Sequence, residues 1–320
     1  MGNMNTIKIG NSRLSLRSLV KKELLYICIF CVLLCGCTGK NSQNPLEPLR
    51  TEIQDIIKDK KATVGVAVIL DGKDTLTVNN TGKYPMMSVY KFHQALAVCD
   101  YLQKRNIPLS TPLYLDKKYF KPDTYSPLRD KYPEGNLKLP LSELLIYTMQ
   151  LSDNIACDIL FDYIGGVKVA DEYIHSLGIK NVSITTTEDE MHQDMDGCYE
   201  NWTTPIEAAN LLELFATQSS IKNEYTDFLR RIMIECETGK DRLPAPLPKN
   251  EVKIGHKTGT SDKNVRGEYI GTNDIGFVIL PDGTRYMIAV FVKNSKEKME
   301  TNAKIISDIS AAVYQYVSNR

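Results

Sequence analysis

Strand-forming sequence sits at the two ends of this chain and helix-forming sequence fills the middle, and that order constrains the fold more than any other feature. Thr63 to Leu70 is a Val-rich run, Asp71-Gly72-Lys73 is a turn, and Thr75 to Val78 returns beside it as an antiparallel neighbour. Helical spacing then dominates from about residue 88 to residue 234, broken by Pro-bearing loops such as Tyr119 to Pro140. Strands return only at Val252 to Thr260, Asp274 to Leu280 and Arg285 to Lys293, the last two joined by the turn Pro281-Asp282-Gly283. Helices open and close the folded chain: residues 46 to 61 space Leu46, Leu49, Ile53, Ile56 and Ile57, and Glu297 to Val317 places Ile305, Ile306, Ile309, Val313, Tyr316 and Val317 on one face. The expected fold is therefore α/β, one antiparallel sheet built from both chain ends and flanked by helices. Residues 37–84 and 238–320 form that discontinuous domain, and 85–237 is an inserted all-α domain. A ligand cleft belongs between the two.

The amino end reads as an export signal. Arg13, Arg17, Lys21 and Lys22 precede an apolar run from Leu24 to Leu34, which is short for a bilayer span and ends in Cys35-Gly36-Cys37. Residues 1–36 are expected to be removed as a lipoprotein-type signal, with Cys37 lipidated and Thr38 to Pro48 as a tether; an uncleaved anchor is the alternative. Either way the folded part lies outside the cytoplasm, in the periplasm, with a lipid anchor as its membrane contact. Cys28, Cys31 and Cys35 leave with the signal, and Cys99, Cys157, Cys198 and Cys236 remain as scattered residues expected to be small and buried.

Charge narrows the partner class. The full chain has 39 basic and 39 acidic side chains. Removal of Lys8, Arg13, Arg17, Lys21, Lys22 and Glu23 with the signal leaves 34 facing 38. No basic field exists to hold nucleic acid, so a small molecule is the expected partner, and any anionic group on it must be met by local cations. His93, His175, His192 and His256 stand singly, without metal-ligand spacing, so neither a metal nor a cofactor is expected. His256 points to the opposite sheet face from Lys257 and reads as a packed residue.

Three short segments carry chemistry. Ser88-Val89-Tyr90-Lys91 opens a helical run, so that the Ser88 hydroxyl and the Lys91 amine share a face at i and i+3. A serine at a helix start has backbone N–H groups nearby to receive negative charge on an attacked carbonyl, although Ser88 also suits a plain N-cap. Ser152-Asp153-Asn154 precedes another helical run, and Lys257-Thr258-Gly259-Thr260 ends a strand. Ser-x-x-Lys, Ser-Asp-Asn and Lys-Thr-Gly in this order resemble the serine β-lactamases and penicillin-binding proteins. The intervals of 64 and 105 residues between them suit class A β-lactamases.

The resemblance covers nearly the whole mature chain, and it implies the β-lactamase/penicillin-binding transpeptidase-like fold and a monomer acting on β-lactams without a cofactor. Ser88 is then the nucleophile, with Lys91, or Glu188 through water, as the acylation base. Glu188, in Glu188-Asp189-Glu190-Met191-His192, activates the deacylating water, with Glu190 the competing choice. Ser152 protonates the departing nitrogen, and the backbone N–H groups of Ser88 and Thr260 form the oxyanion hole. Lys257, Thr258 and Thr260 bind the substrate carboxylate, Asn154 the side-chain amide, and Tyr125 walls the cleft mouth. Arg242 is either a second cation for the carboxylate or a surface arginine, and Ser261 lines the pocket. Asp189 replaces the usual proline after the glutamate, and His192 takes the water-holding position where asparagine is usual; both features resemble the extended-spectrum branch typified by Bacteroides enzymes, which leans toward cephalosporins. The rivals are a D-alanyl-D-alanine peptidase, which shares the motifs but holds its acyl-enzyme, and a penicillin-sensing module.

Overall fold

The computed structural model describes residues 44–217 and 222–320. The expected signal (1–36) and lipidation site (Cys37) lie outside the described residues. The tether expected through Pro48 stops short of it: Leu46 is 2% exposed and joins the core, and Glu47 and Pro48 already open α1 (Glu47–Ile57), where a proline suits the first turn. Residues 46–320 form one compact unit.

α1 buries Leu49 and Ile53. β1 (Thr63–Leu70) and β2 (Asp74–Val78) form a hairpin through Asp71 (φ 47°) and Gly72 (φ 67°), with Lys73 N donating to Leu70 O at 2.9 Å. Two consecutive left-handed residues make this a type I′ turn, which Asp-Gly favours. β3 (Tyr84–Pro85) leads through a 3-10 turn (Met87–Val89) into α2 (Tyr90–Arg105), buried on nearly every side and closed by left-handed Asn106 (φ 51°). β4 (Pro112–Leu115), α3 (Pro127–Lys131), β5 (Leu137–Pro140), α4 (Leu141–Gln150), α5 (Asn154–Ile164) and α6 (Val167–Ser176) follow. Next come β6 (Val182–Ser183), α7 (Glu188–Gln193), β7 (Trp202–Thr203), α8 (Pro205–Thr217) and α9 (Glu224–Ile234). The chain finishes with β8 (Lys253–Thr260), β9 (Tyr269–Ile279), β10 (Arg285–Ser295) and α10 (Met299–Ser318).

The main sheet has the order β2-β1-β10-β9-β8, and every pairing in it is antiparallel. Alternation sends the two faces of each strand into different apolar layers. Val64, Val66, Val68 and Leu70 of β1 pack with Ile305, Ile309 and Val313 of α10, whereas Ala67 and Ile69 pack with the helical block. A sheet covered on both sides reads as a nearly continuous apolar run, which is why β1 and β10 stand out in the sequence. α8 lies on β1, β9 and β10, and α9 lies on β8.

β9 begins at Tyr269, five residues before the expected Asp274, and its early part pairs Thr272 with Thr260 and Asn273 with Gly259. Thr272, Asn273 and Asp274 are polar yet fully buried. Asn273 Nδ2 donates to Pro85 O (2.8 Å) and Met86 O (3.1 Å), so its burial is compensated by hydrogen bonds that no hydropathy pattern reveals. No helix among the described residues is long and apolar enough to cross a membrane.

Candidate active site

β8 is the sheet edge, and its last residues face the turn that carries Ser88. Gly259 makes that approach possible: a Cβ there would lie 2.5 Å from Met86 O and 3.2 Å from Ser88 N. Met87, just before the serine, holds a left-handed φ of 48°, a strained conformation for a side chain of its size and one that recurs at functional turns. Lys91 follows one helical turn later and is fully buried. Its Nζ donates to Ser152 O (2.8 Å) and Asn154 Oδ1 (2.7 Å) and pairs with Glu188 Oε1 at 3.0 Å. Ser88 stands in the 3-10 turn ahead of α2, and the ammonium of Lys91, the second residue of that helix, binds across the cleft.

The second segment sits at the head of α5. Asp153 N-caps it through Ala156 N (2.8 Å) and also accepts from Leu128 N (2.7 Å) and Ser126 Oγ (2.8 Å). Burial pushes its carboxyl above the usual range against these donors. Its work is to fix the loop that places Tyr125, 58% exposed at the cleft mouth. Asn154 gives its oxygen to Lys91 and one amide N–H to Thr124 Oγ1 (2.9 Å), leaving one N–H for a ligand. Ser152 is left-handed (φ 59°), and its Oγ accepts from Lys257 Nζ at 2.9 Å.

Lys257 on β8 is fully buried and also donates to Thr258 O (3.0 Å). Burial, and then the nearby Lys91 charge, lower it to about 7. The Thr258 hydroxyl lies 2.7 Å from that of Thr238. Arg242, 6% exposed, is no surface residue: it donates to Gly259 O (3.1 Å), Asn273 O (2.9 Å) and Thr260 Oγ1 (2.7 Å). Ser261 Oγ accepts from Gly271 N at 3.0 Å.

Glu188 was expected in a loop, but it opens the six-residue helix α7, because Thr187 and Glu190 form a capping box that a short acidic stretch disguises. Glu190 reaches back to Thr187 N (2.8 Å) on the exposed side, while Glu188 is buried against Lys91. The competing choice is thereby separated from the cleft. Asp158, which the sequence reading missed, holds this helix by accepting from Glu188 N (2.8 Å) and Asp189 N (2.9 Å). Burial, with Glu188 adding to it, pushes its carboxyl up to about 7. The available signal was its place one turn after Asn154 on the same face of α5.

Ser88, Ser152, Glu188, Thr258 and Thr260 line a cleft of about 300 Å³, with Tyr125 and Arg242 at its wall. A second cavity of about 230 Å³ adjoins it, bounded by His192, Met195, Ser261 and Asp262 and sharing Glu188. Among the described residues, Cys99, Cys157, Cys198 and Cys236 are free and buried. Cys236 departs from the expected apolar role, with its Sγ 3.4 Å from Thr238 Oγ1.

Comparison with known proteins agrees with this arrangement. The β-lactamase enzyme family matches over residues 48–317. A β-lactamase of Bacteroides uniformis is 43% identical over 290 residues, covering 90% of this chain and 97% of the relative. The class A β-lactamase of Bacteroides cellulosilyticus superposes with a TM-score of 0.84 at 44% identity, over 87% of this chain and 100% of that one. The extended-spectrum β-lactamase TLA-1 gives 0.83 at 45% identity, over 85% and 99%. A buried Lys91–Glu188 pair beside Ser88, framed by the other two motifs and matched over nearly all of the described residues, leads to one conclusion: this chain belongs to the β-lactamase enzyme family, as a class A serine hydrolase of β-lactams.

Proposed function

We propose that Ser88 Oγ attacks the lactam carbonyl, with Lys91 or, through water, Glu188 taking its proton, and that Glu188 activates the water that hydrolyses the acyl-enzyme. The observation that carries this is the Lys91–Glu188 pair at 3.0 Å. Lys91 Nζ donates to Ser152 O and Asn154 Oδ1 and stands 3.0 Å from Glu188 Oε1, so the two groups that could take the Ser88 proton meet at one point. The Oγ–C bond forms as the ring C–N bond breaks. Ser152 Oγ accepts from Lys257, which leaves its own proton aimed for the departing nitrogen. Ser88 N–H and Thr260 N–H receive the oxyanion, each such donor contributing about 2.7–4 kcal/mol to lowering the barrier. The proton taken from Ser88 replaces the one that Ser152 gave to the nitrogen; Glu188 then takes a proton from water as hydroxide adds to the ester, and passes it to Ser88 Oγ as the ester C–O bond breaks.

Lys257 and the Thr258 and Thr260 hydroxyls bind the substrate carboxylate, with Asn154 on the side-chain amide. Because Arg242 donates to Thr260 Oγ1, the Thr260 proton stays free for the ligand while Arg242 adds a second cation nearby. His192 and Ser261 border the adjoining cavity, which receives the substrate's acyl side chain, and cephalosporins are the preferred substrates. The enzyme is a monomer whose cleft one chain completes, exported to the periplasm and tethered through lipidated Cys37. Loss of palmitate labelling and release from membranes in Cys37→Ala tests the tether, and retention of label refutes it.

The chemistry is tested by mixing purified protein lacking residues 1–37 with a chromogenic cephalosporin and following turnover and intact mass. Sustained turnover without adduct, and neither in Ser88→Ala, is expected. A stoichiometric burst ending in a stable adduct would instead identify a peptidase or sensor.

A further inference from the structure

Met87 holds its left-handed φ of 48° immediately before Ser88, and a side chain of this kind stays in that conformation only where its surroundings over-determine it. Close approach of the sheet leaves room for the turn: a Cβ on Gly271 of β9 would lie 2.9 Å from Met87 Cγ and 3.3 Å from Pro85 O. Space alone does not hold a strained backbone; hydrogen bonds do. Met86 N donates to Asn201 O (2.8 Å), and Asn273 Nδ2 on β9 donates to both Pro85 O (2.8 Å) and Met86 O (3.1 Å).

Asn273 is fully buried, and its Oδ1 is buried without a hydrogen-bond partner. Turning the amide over would set that oxygen against two carbonyl oxygens, so its orientation is fixed. The oxygen is an uncompensated cost, and the two N–H groups are what the asparagine contributes here. Its backbone serves the other half of the site. Asn273 pairs with Gly259, the residue before Thr260 on β8, and Arg242 Nη1 clamps the two strands by donating to Gly259 O (3.1 Å) and Asn273 O (2.9 Å). One residue is therefore tied to both segments that carry the oxyanion donors.

We propose that Asn273 is a positioning residue for the reaction: by tying the Pro85 and Met86 carbonyls to β9, it brings the Ser88 N–H to bear on the same lactam oxygen as the Thr260 N–H. It acts through Met87 and touches none of the reacting atoms. Without its two donors Met87 is free to leave the left-handed region, and the Ser88 N–H turns away from the point that the Thr260 N–H addresses. An oxyanion donor counts chiefly in the transition state, so the loss falls on the chemical step and not on ground-state binding.

This inference rests on reading the Ser88 and Thr260 N–H groups as the oxyanion hole, and the test separates the two. Asn273→Leu, which keeps the size and removes the donors, and Asn273→Ser, which leaves one shorter donor, are each made in the Glu188→Gln protein, where the acyl adduct is retained. Acylation by a chromogenic cephalosporin is followed to its first-order rate constant at saturation, and the ester carbonyl stretch of the adduct is read by isotope-edited infrared difference spectroscopy. The rate constant is expected to fall about 100-fold in Asn273→Leu and less in Asn273→Ser, with the half-saturating substrate concentration within about twofold. The ester band, held by the hole below its frequency in the denatured adduct, moves up toward that frequency. A misfolded fraction would lower the amplitude of acylation and leave the rate constant and the band in place, and that outcome overturns the proposal. So does an unmoved band in a slowed Asn273→Leu, or failure of both variants to fold, which would assign Asn273 to the fold alone. If the band of the Glu188→Gln parent already coincides with that of its denatured adduct, the oxyanion-hole reading itself fails, and this inference with it.

Discussion

Glu188 and Glu190 are two residues apart on one short helix, yet their surroundings give them different work. Glu188 is 8% exposed and paired with Lys91 in the serine cleft, while Glu190 folds back onto Thr187 to satisfy the helix end. Replacing Glu188 by glutamine removes the proposed deacylation base but leaves the shape of the cleft. A positioned general base contributes roughly 10²–10⁴-fold, so kcat should fall by about that much and the Ser88 acyl adduct should accumulate in intact-mass spectra. Glu190→Gln keeps the capping box, because glutamine serves in it as well as glutamate, and should stay within about twofold of wild type. Equal losses in the two variants, or full turnover in Glu188→Gln, would show that the wrong carboxylate had been assigned.

At the scale of elements, α7 is the part whose position has to be imposed from outside. Six residues are too few to be a stable helix alone, and its first N–H groups are held by the Asp158 carboxylate on α5. Asp158→Ala leaves two part-buried donors without their acceptor, at about 1–3 kcal/mol, and frees the turn that aims Glu188. Deacylation should slow by about 10-fold or more while acylation changes less, with Asp158→Asn intermediate because it keeps one acceptor. Single-turnover measurement of the two steps decides it, and an unchanged deacylation rate in Asp158→Ala would rule out this anchoring role. The same element shows where sequence reading stops. β1, β10 and α10 were legible because alternation or helical spacing runs along contiguous residues, and Ser88, Lys91, Ser152 and Lys257 because each lies in a motif written into one short stretch. Asp158 acts on Glu188 and Asp189 far along the chain, across a contact that exists only once α5 and α7 have packed together. Thr272, Asn273 and Asp274 hid the start of β9 because their polar side chains are compensated by distant backbone or side-chain groups.

For the molecule as a whole, the two buried histidines make opposite contributions to stability against pH. His256 faces Asp274, and its pKa is raised to about 10 despite burial. Its contribution is therefore fully present below the unfolded value near 6.5 and is lost as pH rises through 10. His93 lies inside the helical block on α2, where burial, only partly offset by the Val89 backbone, lowers its pKa to about 4. Its contribution is present above 6.5 and is lost as pH falls toward 4, because the unfolded chain takes the proton first. Between pH 7.5 and 5.0 that loss is about 2 kcal/mol. His93→Leu removes this titration and keeps a side chain suited to an apolar site, and every other titrating group is common to both proteins. Denaturant unfolding of each at pH 7.5 and 5.0 should therefore show the wild type losing about 2 kcal/mol more on acidification than His93→Leu. An equal response in the two proteins would mean that His93 is already paired or hydrated inside the fold.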